Sequence, residues 1–305
     1  MDRIVGLSRR SAVRNTLEYA AAVVVLQALE RLPAPLAEAV ARGWFRLLDL
    51  AVPRLRRVAL RNLQIALPEL GPAGHRRILA GMYRSLARSL ALFARLPSLD
   101  RHSIGRWIRM EGCEHVEAAL RRGKGVLFAT AHLGNWELSA VAYALLSRPM
   151  YVVVRPLDNP KLDALVAARR RLGGNRLIEK KDFARSILKA LAANQAVGIL
   201  VDQNSSPEEG VFVDFFGIPA CASTGVVRLA ARSGAAVIPG FALWSDPEKR
   251  YVLRFEPPVE IAGDVREDTQ RLQKRLEAVI RRHPEQWLWI HRRWKTRPPG
   301  EPPIY

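Results

Sequence analysis

From about residue 107 onward, short apolar runs alternate with helical ones, and this alternation restricts the fold more than any other feature of the chain. WIRMEG (107–112), VLFATAH (126–132), MYVVVRP (150–156), AVGILVDQ (196–203), AVIPGFALW (236–244) and YVLRFEP (251–257) read as strands. Between them, HVEAALRRGKG (115–125), ELSAVAYALLS (137–147), KLDALVAARRRLGG (161–174), ARSILKALAANQ (184–195) and TGVVRLAARSGA (224–235) read as helices, and DTQRLQKRLEAVIRRHPEQW (268–287) as a long terminal one. Strands alternating with helices predict an α/β fold, with a mostly parallel central sheet flanked by helices.

In such sheets chemistry gathers at the carboxyl ends of the strands. Here those ends carry His132 after VLFAT, Arg155 after YVVV, Asp202-Gln203 after GILV, and Pro239 after AVI. Glu137 follows His132 by five positions, in a segment that turns helical. At that spacing the carboxylate can orient the imidazole and stabilise its protonated form, leaving the other ring nitrogen to take a proton from a hydroxyl. Gly134 and Asn135 fit a tight loop whose backbone approaches a substrate, and they are candidate donors to an oxyanion. The same spacing also fits a strand–helix junction with a structural histidine. Arg155 has the planar fork to grip a phosphate. Asp202 suits a sugar hydroxyl, a contact to Arg155, or a turn cap. A Gly-x-Ser-x-Gly elbow, a P-loop and a metal pair are all missing from the sequence, which argues against serine hydrolases, NTPases and metalloenzymes.

The amino-terminal part differs. Arg3, Arg9, Arg10 and Arg14 precede an apolar run, Leu17–Leu29, of about a dozen residues; a bilayer crossing takes about 20. With the amphipathic stretch that follows, residues 1–48 read as a membrane-associating helical segment, and 49–305 as the remaining domain. Residues 75–96 place Ile78, Leu79, Met82, Leu86, Leu90 and Phe93 at helical spacing, with Arg77, Arg84, Arg88 and Arg95 clustered on one side. A helical hairpin packed on its own domain is the competing reading of the amino terminus.

Charge narrows the partners. The chain has 48 Lys+Arg against 29 Asp+Glu, a formal net charge of +19 over 305 residues. Anionic partners follow: a phosphate-rich lipid surface, nucleic acid, or an acidic carrier protein. Cys113 and Cys221 have neither metal nor redox spacing, so neither a zinc site nor a disulfide is expected, and no motif calls for a cofactor. EGVFVDFFGIPACASTG (209–225) reads as a loop or hairpin over the site, with Phe212, Phe215 and Phe216 as an apolar wall. WLWIHRRWKTRPP (287–299) mixes Trp287, Trp289 and Trp294 with cations, a mixture found at membrane interfaces and in single-strand nucleic-acid binders. Beside a basic amphipathic amino terminus, the lipid surface is the better fit, with no nucleic acid as partner.

AHLGNWE, VVVRPLDNP, GILVDQN, EGVFVDFFGIPA, AVIP and HPEQWLWIHRRWKTRP together resemble the bacterial lipid A biosynthesis acyltransferases, within the glycerolipid acyltransferase superfamily that carries a His-x-x-x-x-Asp/Glu motif. The resemblance runs from about residue 15 to 298. It implies a glycerolipid acyltransferase-like fold, with His132 as general base and Glu137 as its partner. Asn135, Arg155, Asp202, Gln203 and Pro239 would contact substrate. So would an arginine before Gly-Gly, drawn from Arg169, Arg170 and Arg171, with Arg170 the central choice. It also implies an acyl-thioester donor, carried by acyl carrier protein or coenzyme A, and a glycolipid acceptor of the lipid A type. The setting would be the anionic inner membrane, with the catalytic domain facing the cytoplasm. A mycobacterial branch that acylates phosphatidylinositol mannosides looks similar but tends to carry Asp at the position of Glu137.

Overall fold

The structure is a computed structural model that describes residues 11–179 and 183–305. Arg3, Arg9 and Arg10, the cations ahead of the apolar run, lie outside the described residues. Among those residues a seven-stranded sheet forms the centre. Its strands are β1 (Ile108–Glu111), β2 (Val126–Thr130), β3 (Tyr151–Val154), β4 (Arg176–Glu179), β5 (Ala196–Leu200), β8 (Ala236–Ser245) and β9 (Arg250–Phe255), in the order β1-β9-β8-β2-β5-β3-β4. β4, β3, β5, β2 and β8 run parallel, while β9 turns back antiparallel to β8 and β1 follows β9. The sheet is therefore mostly parallel, as the alternation predicts.

β2 and β5 lie side by side at the centre and are almost wholly apolar, as strands covered on both faces must be. Helices α5 (Cys113–Arg121), α6 (Trp136–Leu146), α7 (Pro160–Arg170), α8 (Phe183–Ala192), α9 (Gly225–Ser233) and α10 (Val265–Arg282) connect and cover the strands. Local chemistry starts them where it should. Asn135 caps α6 through Leu138 N–H, Asn159 with Pro160 opens α7, and Asp264 caps α10 by accepting from Arg266 and Glu267 N–H. β4 is absent from the alternation read above. It is a four-residue edge strand, Arg-Leu-Ile-Glu, too short and too charged to stand out.

The segment 209–225 forms a separate two-stranded hairpin, β6 (Gly210–Phe215) and β7 (Ile218–Ser223). Its aromatics correct the expectation of a wall over the site. Phe215 and Phe216 are buried, and they pack on Trp287, Trp289 and Trp294, each of which is also buried. The carboxy-terminal tryptophans are thus core residues and not an interfacial belt. Arg293 goes inside with them, donating to the Cys221 carbonyl and to Gln273 Oε1.

The amino-terminal helices α1 (Ala12–Arg31), α2 (Ala34–Ala51) and α3 (Pro53–Ala66) pack around α4 (Gly71–Arg95). Small residues allow the close approach: Ala37 and Ala41 meet Ala87, Ala91 and Ala94, with Leu26 and Leu29 filling the remaining space. Asn159 ties α1 to the sheet domain by donating to the Asn15 carbonyl and Glu18. Among the described residues no helix is long and apolar enough to cross a membrane. α2 nevertheless turns Leu36, Val40, Trp44, Leu47 and Leu48 outward.

Candidate active site

The register of two adjacent strands builds the site. Thr130 of β2 pairs with Leu200 of β5, and the ladder continues as Val201 N–H donates to the Thr130 carbonyl at 2.9 Å. Two residues past each strand end, His132 and Asp202 therefore face one another. The Asp202 carboxylate accepts from His132 N–H and from Nδ1, each at 2.9 Å, and from the Trp287 indole N–H at 2.8 Å. An ionised carboxylate only accepts, so Nδ1 carries the proton and Nε2 presents its lone pair. Gln203 brings its side-chain nitrogen to 3.5 Å from that Nε2.

Asp202 is 2% exposed. Burial penalises its charge, but the imidazole and the indole N–H together hold its carboxyl below the usual carboxylate range. Burial also disfavours the imidazolium, yet Asp202 and, from further off, Glu137 raise the His132 pKa above its ordinary value.

Glu137 itself is engaged elsewhere. It accepts from Arg170 in a two-pronged pair, Nε at 2.9 Å and Nη2 at 2.6 Å. This corrects the expectation drawn from the His132–Glu137 spacing: the carboxylate hydrogen-bonded to the imidazole is Asp202, delivered by the neighbouring strand. Glu137 sits in the first turn of α6 and Arg170 at the last residue of α7, so both charges also suit their helix dipoles. The pairing selects Arg170 from the three consecutive arginines. Arg169 instead lies 5.5 Å over the Phe93 ring, and Arg171 is exposed.

Three further expectations change. Asn135 is buried, and its side-chain oxygen is spent on capping α6, so that oxygen is a helix cap and does not face a substrate. Gly134 N–H donates to the Gln286 carbonyl and Asn135 N–H to the Ala242 carbonyl, which removes both backbone groups as oxyanion donors. Gly134 has φ +65°, and a Cβ there would lie 2.0 Å from the Ala242 carbonyl oxygen, so only glycine fits. Pro239 does not end its strand. It is buried within β8 where that strand passes from pairing with β2 to pairing with β9, a position that requires no N–H from it.

The sequence reading missed the segment that holds this loop. Gln286 and Trp287 run antiparallel to 132–134, with Leu288 N–H donating to the His132 carbonyl at 3.0 Å. Gln286 also accepts from Trp244 N–H, and Trp287 reaches Asp202. HPEQWLW offered a signal, a glutamine and indole N–H in an apolar stretch, which must find acceptors once buried. His291 accepts from Asn204 N–H, and burial pushes its pKa down to about 4, so it is neutral.

A cavity of about 400 Å³ opens beside His132. His132, Glu137, Arg170, Arg155 and Gln203 stand around its polar part, and Arg155 is exposed. Phe128, Tyr143, Met150, Val152, Leu253 and Phe255 make the apolar part, where Gly198 and Gly240 leave room between strands. A lone-pair-bearing imidazole facing an apolar pocket, with two cations beside it, can deprotonate a hydroxyl while an acyl chain lies in the pocket.

An α/β fold with such a site suits an acyltransferase. The chain belongs to the bacterial lipid A biosynthesis acyltransferase family, whose model matches residues 8–296. It is 29% identical over 284 residues to the lipid A biosynthesis lauroyltransferase of Escherichia coli K12, covering 92% of both chains. The palmitoleoyltransferase of the same strain is 29% identical, over 84% of this chain and 85% of its own length. The myristoyltransferase is 27% identical, over 81% and 77%.

Proposed function

We propose that this protein transfers a fatty acyl chain from a thioester, on acyl carrier protein or coenzyme A, to a hydroxyl of a lipid A-type glycolipid. His132 is the general base: with Nδ1 committed to Asp202, its Nε2 takes the proton of the acceptor hydroxyl. The oxygen attacks the thioester carbonyl, the tetrahedral intermediate collapses, and the thiolate leaves as the imidazolium returns the proton to sulfur. Asp202 keeps the imidazole in this tautomer and stabilises the imidazolium. Glu137, held by Arg170, adds a second negative charge without touching the ring. The observation that carries the reading is the His132–Asp202–Trp287 chain, whose imidazole faces the apolar cavity.

The acyl chain lies in that cavity, and its depth sets the accepted chain length. Gly198 and Met150 are the positions to watch: a Cβ on Gly198 would meet Met150 Cε at 2.6 Å. Arg155 and Arg170 suit the phosphates of the acceptor. The exposed apolar face of α2 supports an interfacial placement on the anionic inner membrane, with the catalytic domain in the cytoplasm. Mass spectrometry of lipid A from cells with and without this chain tests the reading. One acyl chain should disappear with the gene and return with the wild-type chain but not with His132→Ala. An unchanged lipid A profile would reject it.

A further inference from the structure

A second recess lies apart from the catalytic cavity and shares no residue with it. It sits between α2, α3 and α4 and encloses about 870 Å³. Arg42 and Arg46 line it from α2, Arg56 from α3, and Arg76 and Arg84 from α4. Asp49 is the one acid on its wall among the described residues, and it is already occupied. It pairs with Arg56 and accepts from the Tyr83 hydroxyl at 2.8 Å. Arg42, Arg46, Arg76 and Arg84 are exposed and have no carboxylate partner among the described residues. Four guanidinium groups around one recess repel each other, a cost that an anion between them removes.

The floor is not polar. Leu60, Leu79, Ala39 and Ala80 line it, and Gly43 leaves its edge open. Past Gly43 and Ala39 on α2 comes the outward stripe of Leu36, Val40, Trp44 and Leu47, with Trp44 51% exposed. Cations at one level and a projecting apolar stripe beside them match an anionic amphiphile in section, phosphate inside and chains outside.

We propose that this recess is a headgroup site for a phosphate-bearing membrane lipid, separate from the acyl-transfer site. The proposal rests on the interfacial placement argued above. Bound there, one lipid phosphate replaces the missing counter-ion of Arg42, Arg46, Arg76 and Arg84. The same contact fixes which way α2 lies on the surface, and with it where the catalytic cavity opens.

Vesicle sedimentation of the full chain tests this. Vesicles of phosphatidylcholine alone are compared with vesicles also containing phosphatidylglycerol. A variant with Arg42, Arg46, Arg76 and Arg84 all changed to Gln is compared with an equal-charge control in which the exposed Arg121, Arg232, Arg266 and Arg275 are changed to Gln. Each arginine near an anionic surface strengthens binding about fivefold. The recess variant should lose phosphatidylglycerol-dependent binding at least tenfold more than the control, and keep its melting temperature. Equal losses in the two variants would overturn the proposal in favour of diffuse charge.

Wild-type chain that ignores every vesicle would instead reject the interfacial placement itself, which Trp44→Glu tests separately. Inorganic phosphate that raises the melting temperature and displaces the vesicles at millimolar concentration would make free phosphate the ligand and overturn the lipid assignment. Retained vesicle binding with lost affinity for acidic carrier protein would overturn it in favour of a protein partner. Slower turnover of detergent-dispersed acceptor with vesicle binding intact would also overturn it, since the recess would then hold the substrate.

Discussion

Two carboxylates stand near His132, and the site treats them oppositely. Asp202 lies behind the imidazole, at the floor of the site, is 2% exposed, and has both oxygens taken by the imidazole, the His132 backbone and the Trp287 indole. Glu137 lies at the mouth, 20% exposed at its side chain, and is clasped by Arg170. The floor pair is built by strand adjacency, the rim pair by two helix ends. The difference teaches that a short-range motif locates a histidine without identifying the group that orients it.

The largest expected effects belong to the floor. His132→Ala should lower turnover on the order of 10²–10⁴-fold, the usual contribution of a general base. It should also cost stability, because Asp202 is left charged and buried with one partner fewer. Asp202→Asn should cost activity on a similar scale, since an amide no longer enforces the Nδ1–H tautomer. Turnover and melting temperature measured on both variants check this. If Asp202→Asn stays near wild type while Glu137→Gln collapses, the roles assigned to floor and rim are exchanged.

The pH dependence sharpens the same contrast. His132 has a raised pKa, so its contribution to stability is fully present below the unfolded imidazole value of about 6.5 and fades as pH rises through the folded one. Asp202 has a lowered pKa, so its contribution is present above about 3.9 and fades as pH falls through its folded value. The pair therefore stabilises the fold most between roughly pH 4 and 6.5. Activity behaves differently: kcat/KM should rise with pH through the raised His132 value, because only the neutral imidazole accepts a proton. Asp202→Asn should move that acid limb downward, and Glu137→Gln should move it less. Profiles of kcat/KM against pH for the three proteins decide it, and an unmoved limb in Asp202→Asn would remove Asp202 as the main cause of the shift.

Particular residues show how far the sequence could be read. The alternation announces the sheet, because apolar runs of strand length between amphipathic helices have few other uses. His132, Arg155, Asp202 and Gln203 were all findable as strand-end polar residues. Their partners were not, because strand order is a long-range property. Nothing local in AVGILVDQ says that β5 lies against β2 and brings Asp202 to His132. Likewise the tryptophans at 287, 289 and 294 have interfacial composition, and only packing against Phe215 and Phe216 reveals them as core. Asn135 is ambiguous for a related reason: a polar residue beside a strand-end histidine has the same composition whether it caps a helix or binds a ligand.

At the rim the expected effects are intermediate. Glu137→Gln and Arg170→Gln each break a half-buried, two-pronged pair, and each should lower kcat/KM about 10- to 100-fold, corresponding to the roughly 1.5–3 kcal/mol of a charge-assisted hydrogen bond. If the two residues work as one unit, the double variant should fall little below the worse single one. A strictly multiplicative loss in that cycle would show that the pair seen in the structure carries no joint function.

Arg155 should give the smallest effect and the cleanest one. It shares the cavity rim with Arg170 but is exposed, and it touches neither carboxylate of the site. Asp202 and Arg155 both follow central strands, so the alternation alone would treat them alike. Burial separates them. Replacing Asp202 disturbs a buried hydrogen-bonded group, and both stability and activity should suffer. Replacing Arg155 with Ala removes a solvated charge, so the melting temperature should stay within about a degree or two, the scale of a surface change of up to 0.5 kcal/mol. If its guanidinium meets an acceptor phosphate at a solvated rim, KM for the acceptor should rise by roughly 3- to 10-fold with kcat nearly unchanged, as for loss of a uniform binding contact. Arg155→Lys should restore part of the loss by keeping the charge without the fork. A fall in kcat at constant KM would instead place Arg155 in the chemical step, and a large drop in melting temperature would make it a structural cation.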